Sequence, residues 1–211
     1  MTTSPSRALA RSAFGAVAVF PVTVVALNVV QLGDGYDAGR QAISELALGR
    51  AGSMMTLAFC ALAAGTFLLA LVLRRTGGMV SAALLACAAP LSLVSAVFRT
   101  DPSGALPTAH GRVHDAAGIT TFVLMLTAMA FCSVRFSRDR RWRRLAVPTC
   151  VLAVTGLVGF FLVPVLGDRH FGLAQRVLIG SFITWMLVTA AGSPDQVASD
   201  PTARLRPRVH V

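Results

Sequence analysis

The sequence predicts an all-α fold, a polytopic bundle of six transmembrane helices. Of its 211 residues, 55% are hydrophobic and only 13% are charged, whereas a soluble domain is nearer to a quarter charged. Its apolar runs are close to the ~20 residues that a helix needs to cross a bilayer. Its arginines are grouped in a way that assigns the intervening loops to two sides of a membrane. We therefore expect one multi-pass membrane domain.

Six apolar stretches give the expected spans in chain order: roughly 13–32, 52–73, 79–98, 116–134, 146–166 and 173–191. The first is longer than the ~7–15-residue apolar core of a signal peptide, so we interpret it as a span. Residues 1–12 and 192–211 are then tails. The second tail is polar and contains prolines, a composition that predicts disorder.

Arginine placement predicts the orientation of the bundle. All nineteen basic residues are arginine, and the net charge is +10. With six spans, both tails, the 74–78 turn and the 135–145 loop share one side. The positive-inside rule makes that side cytoplasmic, with both termini inside a cell membrane. A basic balance of this origin indicates no nucleic-acid partner. We expect the bilayer and a lipophilic small molecule as partners, and the oligomeric state is not indicated.

Polar chemistry concentrates on the opposite face, in the loops 33–51, 99–115 and 167–172. These loops contain six of the nine acidic residues and three of the four histidines. Ionisable clusters at a membrane boundary are usually functional, so the three loops together predict a pocket. The catalytic candidates are Asp101, Glu45, His110 and His114. The candidates for binding substrate are Arg99, Arg112, Arg176, Gln175, Asp168, His170, Phe98 and Trp185.

Local signals predict how these loops fold. Thr108 can cap a helix that begins at about Ala109, which places His110 and His114 one turn apart on one face. Ser44 and its neighbour Glu45, the only glutamate, can start a short helix at the membrane boundary.

Four short motifs carry a resemblance: "AISELALG", "FRTDP", "HGRVHD" and "GLAQR". In this order across six spans, the chain resembles a broad family of bacterial and archaeal six-span membrane proteins known as a domain of unknown function. The resemblance covers about residues 13–191 and implies the fold but no activity. In length and span count the chain is also similar to small bacterial membrane-bound terpene cyclases, which ring-close prenyl groups on natural products.

The favoured hypothesis is an integral membrane enzyme that acts on a lipophilic substrate by metal-free acid–base catalysis without a cofactor. The expected reaction is terpene cyclase-like ring closure of a prenyl group in natural-product biosynthesis, in a dry apolar pocket that the bundle supplies. Asp101 or Glu45 is the expected proton donor, and His110 or His114 tunes the donor or collects the final proton. Aromatic rings near this face can stabilise a carbocation. These rings belong to Phe98, Phe122, Phe171 and Trp185.

Two alternatives remain open. In a metal-dependent lipid hydrolase, His110, His114 and His170 would bind zinc, and Asp101 or Ser44 would position water. In combining a serine, an aspartate and HxxxH, the chain resembles the membrane hydrolases that include alkaline ceramidases. It differs from them in having six spans and in placing HxxxH in the middle of the chain. The nearby arginines also disfavour a divalent cation. In a non-enzymatic protein, the same polar groups would form a lid or would bind a lipid headgroup or a transported anion.

Overall fold

Helices form almost the whole of this computed structural model, which describes residues 5–194 except for the side chain of Asp168. No strand occurs within that range. Two short 3-10 helices, Ile43–Ala47 and Arg143–Leu145, accompany the longer elements. The α-helices are α1 (Pro5–Val30), α2 (Ser53–Arg75), α3 (Met79–Val97), α4 (Ala109–Arg138) and α5 (Ala146–Ala191).

The long helix α5 contains two spans because the chain turns back on itself at Gly167 and His170, where the backbone is not helical. Gly167 has a φ of 57°, in the left-handed region that glycine adopts without strain. The two arms are the fifth span, Arg143–Gly167, and the sixth span, Arg169–Ala191. With α1 to α4 they give six helices long and apolar enough to cross a membrane. The prediction of a six-span, all-α, multi-pass membrane protein is therefore confirmed.

The helices extend beyond the predicted spans at several ends. α1 begins at Pro5 rather than near residue 13, so most of the predicted amino-terminal tail is helical. α4 begins at Ala109, where the Thr108 side chain accepts the Gly111 N–H at 3.1 Å, as the capping prediction requires. An apolar stretch marks only the part of a helix that lies in the bilayer, so such differences are expected. The predicted disordered tail lies almost entirely outside the described residues.

Small residues let neighbouring spans approach closely. A Cβ on Gly65 of α2 would lie 2.6 Å from the Val17 side chain of α1, and a Cβ on Gly159 would lie 2.8 Å from the Leu178 nitrogen. The second contact joins the two arms of α5. The fifth span lies at the edge of the bundle, because only 11% of its apolar stretch is buried, against 50% for the sixth.

The bundle has two unlike ends. At the loop end lie residues 31–52, 98–108 and 167–172. At the arginine end lie residues 74–79 and the loop 135–145, which contains six arginines. There Arg144 donates to the Gly192 carbonyl at 2.9 Å, and Arg135 donates to the Thr76 carbonyl. Which end faces the cytoplasm stays a prediction.

Candidate functional site

Residues 32–52 form a lid over the loop end, and Gln31, which continues α1 through its N–H bond to the Leu27 carbonyl at 2.9 Å, attaches this lid to that helix. The Gln31 amide donates to the carbonyls of Leu46 at 3.0 Å and Arg50 at 2.9 Å. Gln31 is buried, and a Cβ on Gly49 would lie 2.3 Å from its amide oxygen. The final glycine of "AISELALG" is therefore explained by this close approach.

The sixth span holds the other side of the lid through the motif "GLAQR". The Gln175 side-chain oxygen accepts the Ile43 N–H at 2.8 Å, and Arg176 donates to the Gln41 carbonyl at 3.0 Å. A Cβ on Gly172 would lie 2.5 Å from the carbonyl oxygens of Ala38 and Gln41. The lid is therefore attached to the sixth span by three residues of this motif, Gly172, Gln175 and Arg176.

Arg176, a predicted substrate-binding residue, is occupied by the lid. Its guanidinium donates to the Tyr36 hydroxyl at 2.6 Å and lies 5.8 Å from the centre of the Tyr36 ring. The same hydroxyl donates to the Ala42 carbonyl at 2.9 Å. Burial raises the pKa of the Tyr36 phenol, although the Arg176 charge opposes the shift. Tyr36 consequently stays protonated and keeps its donor role.

Glu45 joins the lid to the loop between α3 and α4. One carboxylate oxygen accepts the Ala42 N–H at 2.8 Å and the Ser103 hydroxyl at 2.6 Å. The other accepts the Ser103 N–H at 2.9 Å and the Gln41 amide at 3.1 Å. Only 4% of Glu45 is exposed. The loops 33–51 and 99–115 therefore meet in space, as the sequence predicts, and Glu45 is the junction.

Asp101 is bonded through both oxygens to one residue, Thr108. It accepts the Thr108 N–H at 2.7 Å and the Thr108 hydroxyl at 2.8 Å. These two bonds lower the pKa of the Asp101 carboxyl below its usual value, because hydrogen bonds to the charged form favour that form. A Cβ on Gly111 would lie 1.9 Å from Asp101 Oδ2. This bonding disfavours the predicted role of Asp101 as proton donor and gives it a structural role at the start of α4.

His114 bonds to the backbone through one of its ring nitrogens. Its Nδ1 lies 2.8 Å from the Phe98 carbonyl oxygen. A carbonyl only accepts hydrogen bonds, so Nδ1 carries a hydrogen and the Nε2 of the neutral ring carries a lone pair. His114 is buried, with 8% exposure. Its Nε2 is therefore the ring nitrogen that remains able to accept a hydrogen bond.

Two adjoining cavities meet at His114. The inner cavity, of about 80 Å³, lies among α1 to α4 and the sixth span. The cleft, of about 680 Å³, lies between α4, the fifth and sixth spans and the lid. Both are lined by Ser44, His114, Gly118, Phe122 and Gln175. The polar residues Ser44, His114 and Gln175 therefore lie where a molecule in the cleft would reach the inner cavity.

The cleft combines apolar walls with acidic groups. Aromatic rings form much of the wall, and the carboxylates of Glu45, Asp101 and Asp115 line it as well. Within the described residues, no arginine lines either cavity. The cleft is therefore negatively charged where it is polar. The aromatic lining residues are Phe122, Phe160, Phe161 and Phe171.

The structure does not gather the three histidines that the zinc alternative requires. His110 is exposed and lies with its ring 5.2 Å from the Phe98 ring, while His114 bonds to the Phe98 carbonyl. The two share a face, as expected, but only His114 lines a cavity. His170 is exposed at the turn between the last two spans. Among the described residues, no group of three or more metal-binding side chains is positioned to hold an ion.

The remaining predicted substrate-binding residues divide between the surface and the core. Arg99 and Arg112 are exposed, and Arg112 lies 3.4 Å from the Pro107 carbonyl. Trp185 is fully buried in the core and lines neither cavity. The side chain of Asp168 lies outside the described part of the chain. Of the predicted set, Gln175 reaches both cavities.

Sequence reasoning missed several residues that build this site. Ser103 receives no signal, because it is one small polar residue in a polar loop. Gln31 was detectable as a polar residue at the end of an apolar span, where a buried amide requires partners. Phe160 and Phe161 are indistinguishable in sequence from lipid-facing residues, and the turn at Gly167 is what sets their helix beside the cleft.

Comparison with known proteins gives a family but no function. A family described as "Protein of unknown function (DUF998)" matches residues 6–192. No curated protein and no solved structure matches the chain.

Proposed function

The chain belongs to this DUF998 family, and we propose that it is an integral membrane enzyme that acts on a lipophilic molecule by metal-free acid–base catalysis. The observation that carries the proposal is the buried His114, whose Nδ1 bonds to a carbonyl and whose Nε2 is left to accept a proton beside an apolar cleft. Terpene cyclase-like ring closure of a prenyl chain is the reaction that we assign to it.

The cleft supports a substrate whose polar end is neutral or cationic. Asp101 and Asp115 line it without a compensating arginine, so a phosphate or diphosphate would meet like charges in a medium of low dielectric constant. The phenylalanine walls suit a prenyl chain through burial and through their ring faces, which attract a carbocation. We therefore propose a prenyl alcohol, ether or amine as the substrate class.

Ring closure in this cleft is an isomerisation. A proton adds to one end of the polyene, and the electron pair of a neighbouring double bond forms the new carbon–carbon bond. His114 Nε2 then removes a C–H proton, whose electron pair becomes the final double bond. The proton given at the start equals the proton taken at the end, so no cofactor is required.

Glu45 is the other predicted proton donor, and we propose that it acts in its protonated form through its contact with Ser103. Because its pKa is lowered, Asp101 is ionised at neutral pH and has no proton to donate. Glu45 lies 2.6 Å from the Ser103 hydroxyl, and a protonated carboxyl can donate across that distance as well as a carboxylate can accept. Ser103 also lines the cleft, so a proton can pass from Glu45 through this hydroxyl.

The test uses purified protein in phosphatidylcholine vesicles, incubated with a prenyl alcohol, the matching amine and the matching monophosphate. We expect an isomer of unchanged mass from the alcohol or the amine, detected by chromatography and mass spectrometry. His114→Gln keeps a donor for the Phe98 carbonyl but loses the basic nitrogen. Its rate should fall by roughly 10²–10⁴-fold, the usual contribution of an acid–base group.

A matched control is Thr120→Val, because Thr120 lies on the exposed side of the same helix and bonds only to the Ala116 carbonyl. Its rate should equal that of the unchanged protein. Turnover of the monophosphate in preference to the alcohol and amine would overturn the substrate class. A His114→Gln variant with undiminished turnover would overturn the assigned mechanism.

Lipid binding without turnover is the second candidate function. The observation that favours it is the saturation of the acids, since Glu45 accepts four hydrogen bonds and Asp101 two within the lid and its neighbouring loop. If the alcohol binds to the reconstituted protein and no isomer forms with any of the three probes, binding replaces catalysis as the function.

We also propose that the arginine end faces the cytoplasm of a cell membrane, on the strength of the positive-inside rule. Single cysteines introduced at Gly104 of the loop end and at Arg140 of the arginine end test the orientation. We expect a membrane-impermeant thiol reagent, added to intact cells, to label the first position and not the second.

A further inference from the structure

A third cavity, at the arginine end, is separate from the inner cavity and the cleft. It is a groove of about 690 Å³ between the start of α3 and the end of α4. Its polar side is formed by Arg135, Arg138 and Asp139, and its other side by apolar residues. The groove lies where both helices leave the apolar part of the bundle, so it spans the boundary between hydrocarbon and water.

The cationic side of the groove has unused hydrogen-bonding capacity. Arg135 donates through Nη2 to the Thr76 carbonyl, but its buried Nη1 has no partner among the described residues. A buried guanidinium nitrogen without an acceptor is costly. Arg138 is exposed, and no hydrogen bond or ion pair within the described part of the chain engages it. An anion between the two guanidinium groups would be attracted by both positive charges and could bond to Arg138 directly.

The start of α3 adds further donors to the same groove. Met79, Val80 and Ser81 form the first turn of α3 and line the groove, and the N-cap residue Gly78 has no side chain to accept from them. The first N–H groups of a helix lack partners within the helix and attract anions. The start of α3 and the two arginines therefore both favour an anionic ligand.

One acid lies in the groove and reduces its charge only in part. Asp139 approaches Arg135 Nη2 at 3.5 Å, and its other oxygen accepts the Arg141 N–H at 2.9 Å. Both oxygens are thus directed to partners at the edge of the groove. Arg138 stays available, and the net charge of the lining is positive.

The apolar side of the groove is directed to the bilayer. Met79, Val80, Phe131 and Val134 are each at least half exposed, and all four line the groove below the arginines. We propose that the groove binds an anionic phospholipid, with the headgroup phosphate between Arg135 and Arg138 and an acyl chain along these four side chains. This site is independent of the proposed enzyme activity.

The experiment measures lipid retained by the full-length protein. Protein is extracted from vesicles of phosphatidylcholine with a minority of phosphatidylglycerol, and bound lipid is counted by native mass spectrometry. We expect one retained phosphatidylglycerol per chain. Arg138→Gln should reduce its retention at least fivefold, and because Arg138 is exposed this variant should fold as the unchanged protein does. Arg135→Lys, which keeps the charge but loses the planar fork, should also reduce retention.

Arg140→Gln is the matched control, since Arg140 lies in the same loop and does not line the groove. It should retain the lipid fully. An equal loss in Arg140→Gln and Arg138→Gln would show diffuse attraction to a basic loop and would overturn the site. Displacement of phosphatidylglycerol by inorganic phosphate at millimolar concentration would also overturn the lipid assignment, because the acyl contacts would then contribute nothing.

Discussion

The loop end and the arginine end of the bundle are held together by different interactions. At the loop end, Gln31, Glu45 and Gln175 bond to backbone groups of distant loops. At the arginine end, Phe136 and Trp142 stack with ring centres 4.6 Å apart and planes 3° apart, and Arg135 lies 5.7 Å from the Trp142 ring centre. One end depends on directional hydrogen bonds, and the other on ring packing.

The two ends also differ in the charge that each offers to a ligand. Carboxylates line the cleft, and arginines line the groove. The two proposals therefore assign a neutral or cationic amphiphile to one end of the bundle and an anionic one to the other. The net charge of +10 therefore describes neither site, because the charge of each site depends on the few residues that line it.

The largest effect is expected where ring packing is removed. Trp142→Ala should lower the free energy of unfolding by about 3–5 kcal/mol, the usual cost of truncating a buried Trp. Trp142 is fully buried and its Nε1 has no partner among the described residues. Trp142→Phe should therefore cost much less. Unfolding in mixed micelles with increasing denaturing detergent measures both, and equal losses would mean that stacking is not what stabilises this end.

A smaller loss of stability is expected when Glu45, which joins the lid to the loop between α3 and α4, is truncated. Glu45→Ala leaves the N–H groups of Ala42 and Ser103 without their acceptor, so the free energy of unfolding should fall by about 2–3 kcal/mol. Protease cleavage in the lid should increase at the same time, while the arginine end stays protected. Increased cleavage at both ends alike would contradict the independence of the two regions.

Gly172→Ala should cost about 1–3 kcal/mol, the usual range for overpacking, because its Cβ would meet two backbone carbonyl oxygens at 2.5 Å. Gly180→Ala on the same span is the control, since nothing lies within 4 Å of a Cβ there. Its higher helix propensity should leave stability unchanged or raised by up to about 1 kcal/mol. Thermal unfolding of the two variants side by side decides whether the lid requires that close approach.

The smallest effect is a pH dependence at Asp101. Because the pKa of Asp101 is lowered from the usual 3.8, this group stabilises the folded protein above pH 3.8 and the contribution is lost as the pH falls through the folded pKa. Asp101→Asn should therefore be less stable than the unchanged protein at neutral pH, and the difference should shrink in acid. A difference that stays constant from neutral to acidic pH would show that ionised Asp101 is not the source.

The bundle was predictable from sequence because crossing a bilayer imposes a length and a composition on each helix. The start of α4 was also predictable, because Thr108 caps within three residues of itself. For the site, the sequence predicted which loops come together but not which of their residues line the cavities. Pattern alone gave His110 and His114 equal standing, and it is the carbonyl of Phe98, sixteen positions before His114, that separates their roles.

The acids illustrate why the rest could not be predicted. Glu45 and Asp101 both look like free carboxylates at a membrane boundary. Their partners, Ser103 and Thr108, are ordinary residues of a polar loop whose path depends on how α3 and α4 pack. The arginines next to the motifs appeared suited to bind substrate, but Arg176 is committed to Tyr36 and Gln41. Tertiary contacts decide which polar group is used for structure and which is available.

The position of the fifth span at the edge of the bundle has a consequence for how the cleft responds to its surroundings. Phe160, Phe161 and Pro164 form one wall of the cleft, yet 11% of the apolar stretch that contains them is buried in protein. The tilt of such a helix follows the hydrocarbon thickness around it. Vesicles with longer or shorter acyl chains should therefore change the width of the cleft. The affinity for a ligand would then depend on bilayer thickness as well as on the residues that line the site.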